Sequence, residues 1–372
     1  MKITNETAFQ AGWTVGFRPD GREVAVVAVK ATYRLRPPDG EPGLPLAEVQ
    51  AELFDADTFG ADPATDAPVY ENDFALFKPQ CDILLRGQAY APDGKVSHRV
   101  RAGLMVGSCK KIIDVVGDRY WERTLGTTGA SEPVPFLHKE ISYDVAFGGV
   151  DKDPADETRI ETFLSNPAGT GFCRFTENLD GMPLPNTEEA GKSVSDPDGD
   201  YRPMAFGPLG RNWLPRYTYA GTYDEQWLNH KLPFLPDDFN PIYFQAAPED
   251  QRVPYPGGGE PIVLARLTAD GRVDSTIPRE SVHVTFLRVR GKHAEVDARL
   301  DTVLIEPDED RLCLTWRSVL PLDRDPFELR EIVVECGSSR SRAKRRARLT
   351  GKTYFRDLTE AVRSQRGRRG GG

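Results

Sequence analysis

Five cysteines, five histidines and 57 aspartates and glutamates supply the reactive groups of this 372-residue chain. Cys81, Cys109, Cys173, Cys313 and Cys336 are odd in number and lack C-x-x-C spacing, so neither a disulfide framework nor a tetrahedral zinc site follows from them. Reduced thiols in the cytoplasm are the expectation. His98, His138, His230, His283 and His293 form no H-x-x-x-H or H-E-x-x-H cluster, and His98 alternates with Val96 and Val100 as a sheet-face histidine would. The nucleophile elbow G-x-S-x-G is absent, and no histidine partner for Cys81 or Cys109 is recognisable from spacing. Gly191-Lys192-Ser193 has the ending of a phosphate-binding loop, but Asn186 stands where its first glycine belongs. Asp196, Asp198 and Asp200 alternate as calcium ligands do, yet Tyr201 takes the glycine position and no glutamate closes the loop. Solvated turns explain both. No catalytic residue, cofactor or metal site is therefore assigned, and the chain is expected not to be an enzyme.

The composition is that of a folded protein rich in chain-breaking residues: 39% hydrophobic, 28% charged, 34 glycines and 30 prolines. No apolar run approaches the 18 or more residues of a membrane helix, and Met1-Lys2-Ile3-Thr4-Asn5-Glu6 lacks the apolar stretch of a secretory signal, so a cytoplasmic protein without a membrane partner is expected. The net charge of −9 is uneven. Residues 338–372 hold 12 basic and 2 acidic side chains, which leaves −19 on the body. Such a body repels phosphate backbones, whereas the stretch from Arg340 to Arg369 attracts them or attracts the protein's own acidic surface.

Period-two patterns place strands at both ends of the body. Trp13, Val15 and Phe17 alternate before Arg18-Pro19-Asp20-Gly21 and the run Val24 to Leu35, which predicts a β-hairpin. In its second arm Val29, Ala31, Tyr33 and Leu35 should face inward and Lys30, Thr32, Arg34 and Arg36 should face water. Asp82 to Ala91, Val96 to Val106 and Lys111 to Val116 read as an antiparallel meander, with a short strand at Ile141 to Phe147. Strand patterns return at Pro261 to Leu267, Val282 to Val289, Ala294 to Ile305, Leu312 to Leu320 and Ile332 to Cys336, with a turn at Pro307-Asp308-Glu309-Asp310.

Between them, residues 151–257 hold 14 of the 30 prolines and little periodicity. The eleven aromatics from Tyr201 to Phe244 argue for order, because disordered segments are poor in such residues. The expected fold class is mainly β: antiparallel sandwich- or barrel-like sheets drawn from both ends of the body, crossed by a long Pro- and aromatic-rich irregular segment, with few short helices. The expected domains are one body over residues 1–337, divided into 1–150, 151–257 and 258–337, and a mobile basic tail over 338–372.

The runs PMAFGPLGRNWLPRYTYAGTYDEQWL at Pro203 to Leu228 and LPFLPDDFNPIYFQAAPEDQR at Leu232 to Arg252 resemble the signature of a bacterial type VI secretion accessory family. ENDFALFKPQCDILLRGQAYAP at Glu71 to Pro92, YDVAFGG at Tyr143 to Gly149 and NPAGTGF at Asn166 to Phe172 extend the likeness over most of residues 1 to about 337. The resemblance implies an effector-loading adaptor or chaperone, whose partners are a secreted effector and the VgrG spike or its PAAR tip; it brings no catalytic residues. The basic tail departs from the family pattern.

Trp, Tyr and Arg dominate interface energetics, so Arg211, Trp213, Arg216, Tyr219, Tyr223 and Trp227, with Phe234, Phe239 and Phe244, are the partner-binding candidates. The same rings can instead nail a coil to the β core, with Asp224, Asp237 and Asp238 serving turns and caps. An exposed sheet edge or an apolar groove roofed by the Pro-rich segment are the two available ways to hold a partner. Two alternatives stand beside the adaptor. Aromatics and acids in irregular segments suit a carbohydrate-binding or carbohydrate-processing β-protein, and the tail suits nucleic acid, although Tyr354 and Phe355 are its only stacking residues.

Overall fold

The computed structural model describes residues 2–37, 43–124, 127–337 and Tyr354; the basic stretch 338–372 otherwise lies outside the described residues. Three sheets carry the fold, and the period-two runs become their strands. The largest has six strands in the order Arg252–Val253, Cys81–Leu85, Arg299–Glu306, Arg311–Pro321, Glu23–Arg34 and Gln10–Phe17. All neighbours are antiparallel except Cys81–Leu85 against Arg299–Glu306. Strands from the first and last thirds of the chain thus interleave in one sheet. A five-stranded antiparallel sheet runs Thr187–Glu189, Cys109–Val116, Arg99–Val106, Pro261–Ala265 and Arg272–Thr276. A four-stranded sheet runs Lys2–Asn5, Leu329–Cys336, Val282–Arg288 and Ala294–Asp297.

One apolar core joins all three. Ala25, Val27, Val29 and Ala31 alternate into it from the hairpin's second arm, Leu104 and Ile113 from the five-stranded sheet, and Phe286 and Val334 from the four-stranded one. Alternation delivers these side chains to one face because successive residues of a strand point to opposite sides. The result is mainly β with two short helices, Leu214–Tyr217 and Glu225–His230, and no closed barrel among the described residues.

The local patterns misplace five features, one being the strand expected at Ala294 to Ile305, which is two: Ala294–Asp297 in the four-stranded sheet and Arg299–Glu306 in the six-stranded one. Lys30 and Thr32 are buried, not water-facing, because residues 50–78 cover the second face of the six-stranded sheet; Arg34 is exposed. The meander over 82–116 is broken, since Cys81–Leu85 joins the six-stranded sheet, Gly87–Tyr90 pairs with His138–Ile141, and only Arg99–Val106 and Cys109–Val116 form a hairpin. The strand expected at Ile141 to Phe147 is two separate pieces, His138–Ile141 and Phe147–Gly148. Finally, the irregular segment begins with a regular hairpin, Val150–Asp153 against Asp156–Thr162. Beyond it the chain is mostly coil, yet it has a core of its own in which Phe147, Phe172, Leu184 and Tyr201 surround Trp121.

The motifs YDVAFGG and NPAGTGF meet in that region. Asn166 is fully buried and donates from Nδ2 to the carbonyls of Tyr143 at 2.8 Å and Phe147 at 3.1 Å. Gly149 has φ +115°, and a Cβ there would stand 2.6 Å from the Gly169 carbonyl oxygen. A Cβ on Gly169 would lie 2.4 Å from Asn166 Nδ2 and 2.6 Å from the Ala146 oxygen. Backbone lies on the far side of both contacts and cannot give way cheaply, so these glycines are held by close approach. Gly169→Ala is expected to lower unfolding free energy in urea by about 2–4 kcal/mol, the range for enforced overpacking and a broken buried hydrogen bond; a loss below the error of the titration would show that the two motifs do not touch.

Candidate functional site

The outer face of the six-stranded sheet does not end in water. Five cations and five carboxylates are layered between it, the strap of residues 50–78 and the irregular segment. Lys78 donates from Nζ to Glu71 Oε2 at 2.8 Å, Asp82 Oδ2 at 2.8 Å and Thr302 Oγ1 at 3.1 Å, so all three ammonium protons are used. Asp82 in turn accepts from Gln245 Nε2 at 2.5 Å and from the Ala246 amide at 2.8 Å, and Gln245 Oε1 accepts the Gln80 amide at 2.7 Å. Arg216 reaches Glu71 Oε1 at 2.8 Å, the Leu209 carbonyl at 2.8 Å and the Tyr243 carbonyl at 2.9 Å. Arg211 grips Asp57 through two parallel bonds of 2.6 and 3.0 Å. Alongside, Lys30 pairs with Asp73, and Arg317 pairs with Asp301 while donating to the Asp73 carbonyl at 3.1 Å.

Opposite charges in equal number are what make this layer tenable, since an unpaired buried ion costs several kcal/mol. Burial alone pushes the Glu71 carboxyl up, but Lys78, Arg216 and Arg211 outweigh it and bring the group down to about 2. Burial dominates at Asp301, which is held above the ordinary carboxylate range despite Arg317 and Lys78.

Three of the runs that carry the resemblance therefore meet in one buried cluster. Glu71, Asp73, Lys78 and Asp82 come from Glu71 to Pro92, Arg211 and Arg216 from Pro203 to Leu228, and Gln245 and Ala246 from Leu232 to Arg252, while Lys30, Asp57, Asp301 and Arg317 come from elsewhere. Two of the binding candidates lie in the interior. Arg216 is 1% exposed, and Trp213 is 3% exposed and edge-on to Tyr143 at 5.5 Å. Arg211 is half-buried and spends its guanidinium on Asp57 and Glu71. Phe239 is buried against Tyr243 and Phe244 at centroid distances of 5.6 and 5.3 Å.

The remaining candidates lie nearer the surface. Tyr219 is half-buried, and its carbonyl accepts the Asn240 amide at 3.0 Å. Trp227 donates from Nε1 to the Phe234 carbonyl at 2.9 Å and meets exposed Tyr223 edge-on at 4.7 Å. Asp224 caps the helix Glu225–His230 by accepting the Trp227 amide, and Asp238 accepts both the amide and hydroxyl of Thr222, so these acids serve the turns. Around this frame stand exposed groups outside the candidates: Leu228 and Leu232 are each 55% exposed, and Tyr217 is 64% exposed. A groove of about 390 Å³ is lined by Leu76, Phe77, Leu235, Phe239, Pro241 and Phe244, with Arg18 also in its wall. Phe234 meets Phe17 edge-on at 5.5 Å.

A second cavity, of about 400 Å³, lies elsewhere and is lined by Glu140, Asp144, Glu306, Asp308 and Glu309 with Arg86 and Tyr143. Glu306 is occupied there, accepting from Tyr70 at 2.6 Å and from Arg311 at 2.7 Å. Among the described residues no group of three histidines, cysteines or carboxylates is disposed to hold a metal ion, and none of the helices is long and apolar enough to cross a membrane. The five cysteines are unpaired.

Fold and site together define a mainly β protein whose coiled central segment is clamped to one sheet by buried ion pairs and carries apolar groups on its outer side. The chain belongs to the family described as an uncharacterized protein conserved in bacteria (DUF2169), whose model matches residues 20–317. No curated protein and no solved structure matches the chain.

Removing Lys78 leaves buried Asp82 without a cation and Glu71 with only Arg216 and Arg211, so Lys78→Met is expected to cost about 3–5 kcal/mol by chemical denaturation, whereas Arg272→Ala at the exposed Arg272–Asp274 pair should change little. Glu71 adds a pH signature. Its folded value of about 2 lies below its ordinary 4.5, so it contributes stability above pH 4.5 that is lost as pH falls toward 2. Subtracting the acid-unfolding curve of Glu71→Gln from that of the parent should reveal this slope; a difference that is flat over that window contradicts the assignment.

Proposed function

We propose that this chain is a non-catalytic adaptor or chaperone that holds a type VI secretion effector and helps join it to the VgrG spike or its PAAR tip. The reading rests on the resemblance carried by Pro203–Leu228, Leu232–Arg252 and Glu71–Pro92. One observation supports it physically. The irregular segment is fixed from below by Arg216, Gln245 and Ala246 while Tyr217, Tyr223, Leu228 and Leu232 stand exposed on its outer side. Apolar side chains held rigid before binding lose little conformational freedom when a partner covers them, and large exposed apolar groups set close together mark interaction surfaces. The groove beside Phe77 and Phe239 gives such a partner a recess for one or two side chains. Binding would take place in the cytoplasm, before export.

A carbohydrate-binding reading keeps one observation in its favour, the cavity in which five carboxylates and Tyr143 converge. A glycan array without a hit would remove it.

The test of the adaptor is co-expression with effector and spike proteins encoded beside the gene, followed by pull-down. The triple variant Tyr223→Ser, Leu228→Ser, Leu232→Ser is expected to keep its melting temperature and lose about tenfold or more in effector affinity. Retained affinity moves the contact away from this surface. Failure of the unaltered chain to hold any of those proteins overturns the function.

A further inference from the structure

The strand Gln10–Phe17 ends one side of the six-stranded sheet and pairs only with Glu23–Arg34. Among the described residues no further backbone hydrogen bond reaches it, so alternate residues turn their N–H and C=O groups away from the sheet with no partner among those residues. Folded proteins blunt such edges with charges, prolines, bulges or short length. The other sheet edges here follow that rule. Arg252–Val253 has two residues, Thr187–Glu189 three with two glutamates, and Lys2–Asn5 four with a lysine. Arg272–Thr276 carries Arg272 and Asp274, and Ala294–Asp297 carries Glu295 and Asp297. Gln10–Phe17, with the sequence QAGWTVGF, has eight residues, no charge and no proline, and its register runs unbroken from Gln10 opposite Lys30 to Phe17 opposite Glu23.

We propose that this edge pairs with the same edge of a second copy, antiparallel about a two-fold axis through Thr14, so that two six-stranded sheets become one of twelve. The inference is independent of the adaptor reading. A two-fold axis perpendicular to the sheet keeps the core-facing side chains of both copies on one side. Opposed residues must then belong to the same alternate set, which permits an axis through a residue. With Thr14 on the axis, Trp13 lies opposite the second copy's Val15, Gly12 opposite Gly16 and Ala11 opposite Phe17. Aromatic and β-branched residues are a favourable cross-strand pair, and it occurs twice. The glycines, whose faces are already covered by Phe74 and Leu76, oppose each other without a side chain between them. Like charges directly opposed are what ordinarily forbid self-pairing, and this strand has none to oppose.

Sedimentation of the full chain across a concentration series tests the pairing. The expected species has twice the 41.4 kDa chain mass. It should form more readily as salt rises, because copies of net charge −9 repel. Opposed Cα atoms at the axis stand within disulfide reach, so Thr14→Cys should give a covalent dimer on mild oxidation, while Arg18→Cys and the parent chain do not. Thr14→Lys should weaken association several-fold with the melting temperature kept, and Thr14→Val should leave both intact. A monomer up to the solubility limit overturns the proposal. So does a dimer in which Thr14→Cys fails to cross-link, and so does one that weakens with salt, which points to the basic stretch 338–372. Amides of Gln10–Phe17 protected only when another protein is added would assign the edge to a foreign strand instead.

Discussion

Lys78 is placed where an ammonium group survives only if every proton is accepted. Its three acceptors come from the strap, from the strand Cys81–Leu85 and from the strand Arg299–Glu306, and each carboxylate it touches is held by a second donor from the irregular segment. Apolar contacts are non-directional and would let a coil slide over a sheet. Ion pairs with fixed hydrogen-bond geometry allow one seating. Lifting the segment from the sheet would leave Glu71 and Asp82 without their partners Arg216 and Gln245, at the cost of stranded buried charge. The low proportion of regular structure between residues 163 and 251 is thereby compatible with a single conformation.

That constraint orders the rest of the segment. The helix Leu214–Tyr217 is too short to be stable alone, and Arg216 inside it supplies the tertiary anchor. Phe239, Tyr243 and Phe244 pack on one another, and the carbonyl of Tyr243 is tied to the same guanidinium. What lies outward of this frame, from Tyr217 to Leu232, is positioned without contributing to the clamp. The division separates residues that hold the segment from residues free to meet another molecule.

Much of the scaffold was legible because strands write their burial in period two. Trp13, Val15 and Phe17 against Val24 to Leu35 gave the hairpin, and the strands after Pro261 appeared near their expected places except over Ala294 to Ile305, where one run covers two strands of different sheets. The alternation at Lys30 and Thr32 was equally clear and misled, since polar residues on a strand's second face look the same whether that face meets water or a buried charge layer. Composition likewise cannot tell an interface tryptophan from a core one, and Trp213 and Arg216 proved interior for that reason. Glu71 and Asp82 gave no signal of a buried cluster, because the donors that hold them from the irregular segment, Arg216 and Gln245, stand 145 and 163 residues away. Leu228 and Leu232 were passed over because exposure of an aliphatic side chain is a property of packing.

Native-state hydrogen exchange on the full chain addresses the clamp most directly. The amides of Ala246, bonded to Asp82, and Leu209, bonded to the Ala246 carbonyl, should exchange only through global unfolding, with the protection of central sheet amides such as Leu314. Exchange at Ala246 and Leu209 as fast as in the exposed turn around Asp198 would mean that the segment opens by itself, and the buried charge layer would then not be what holds it.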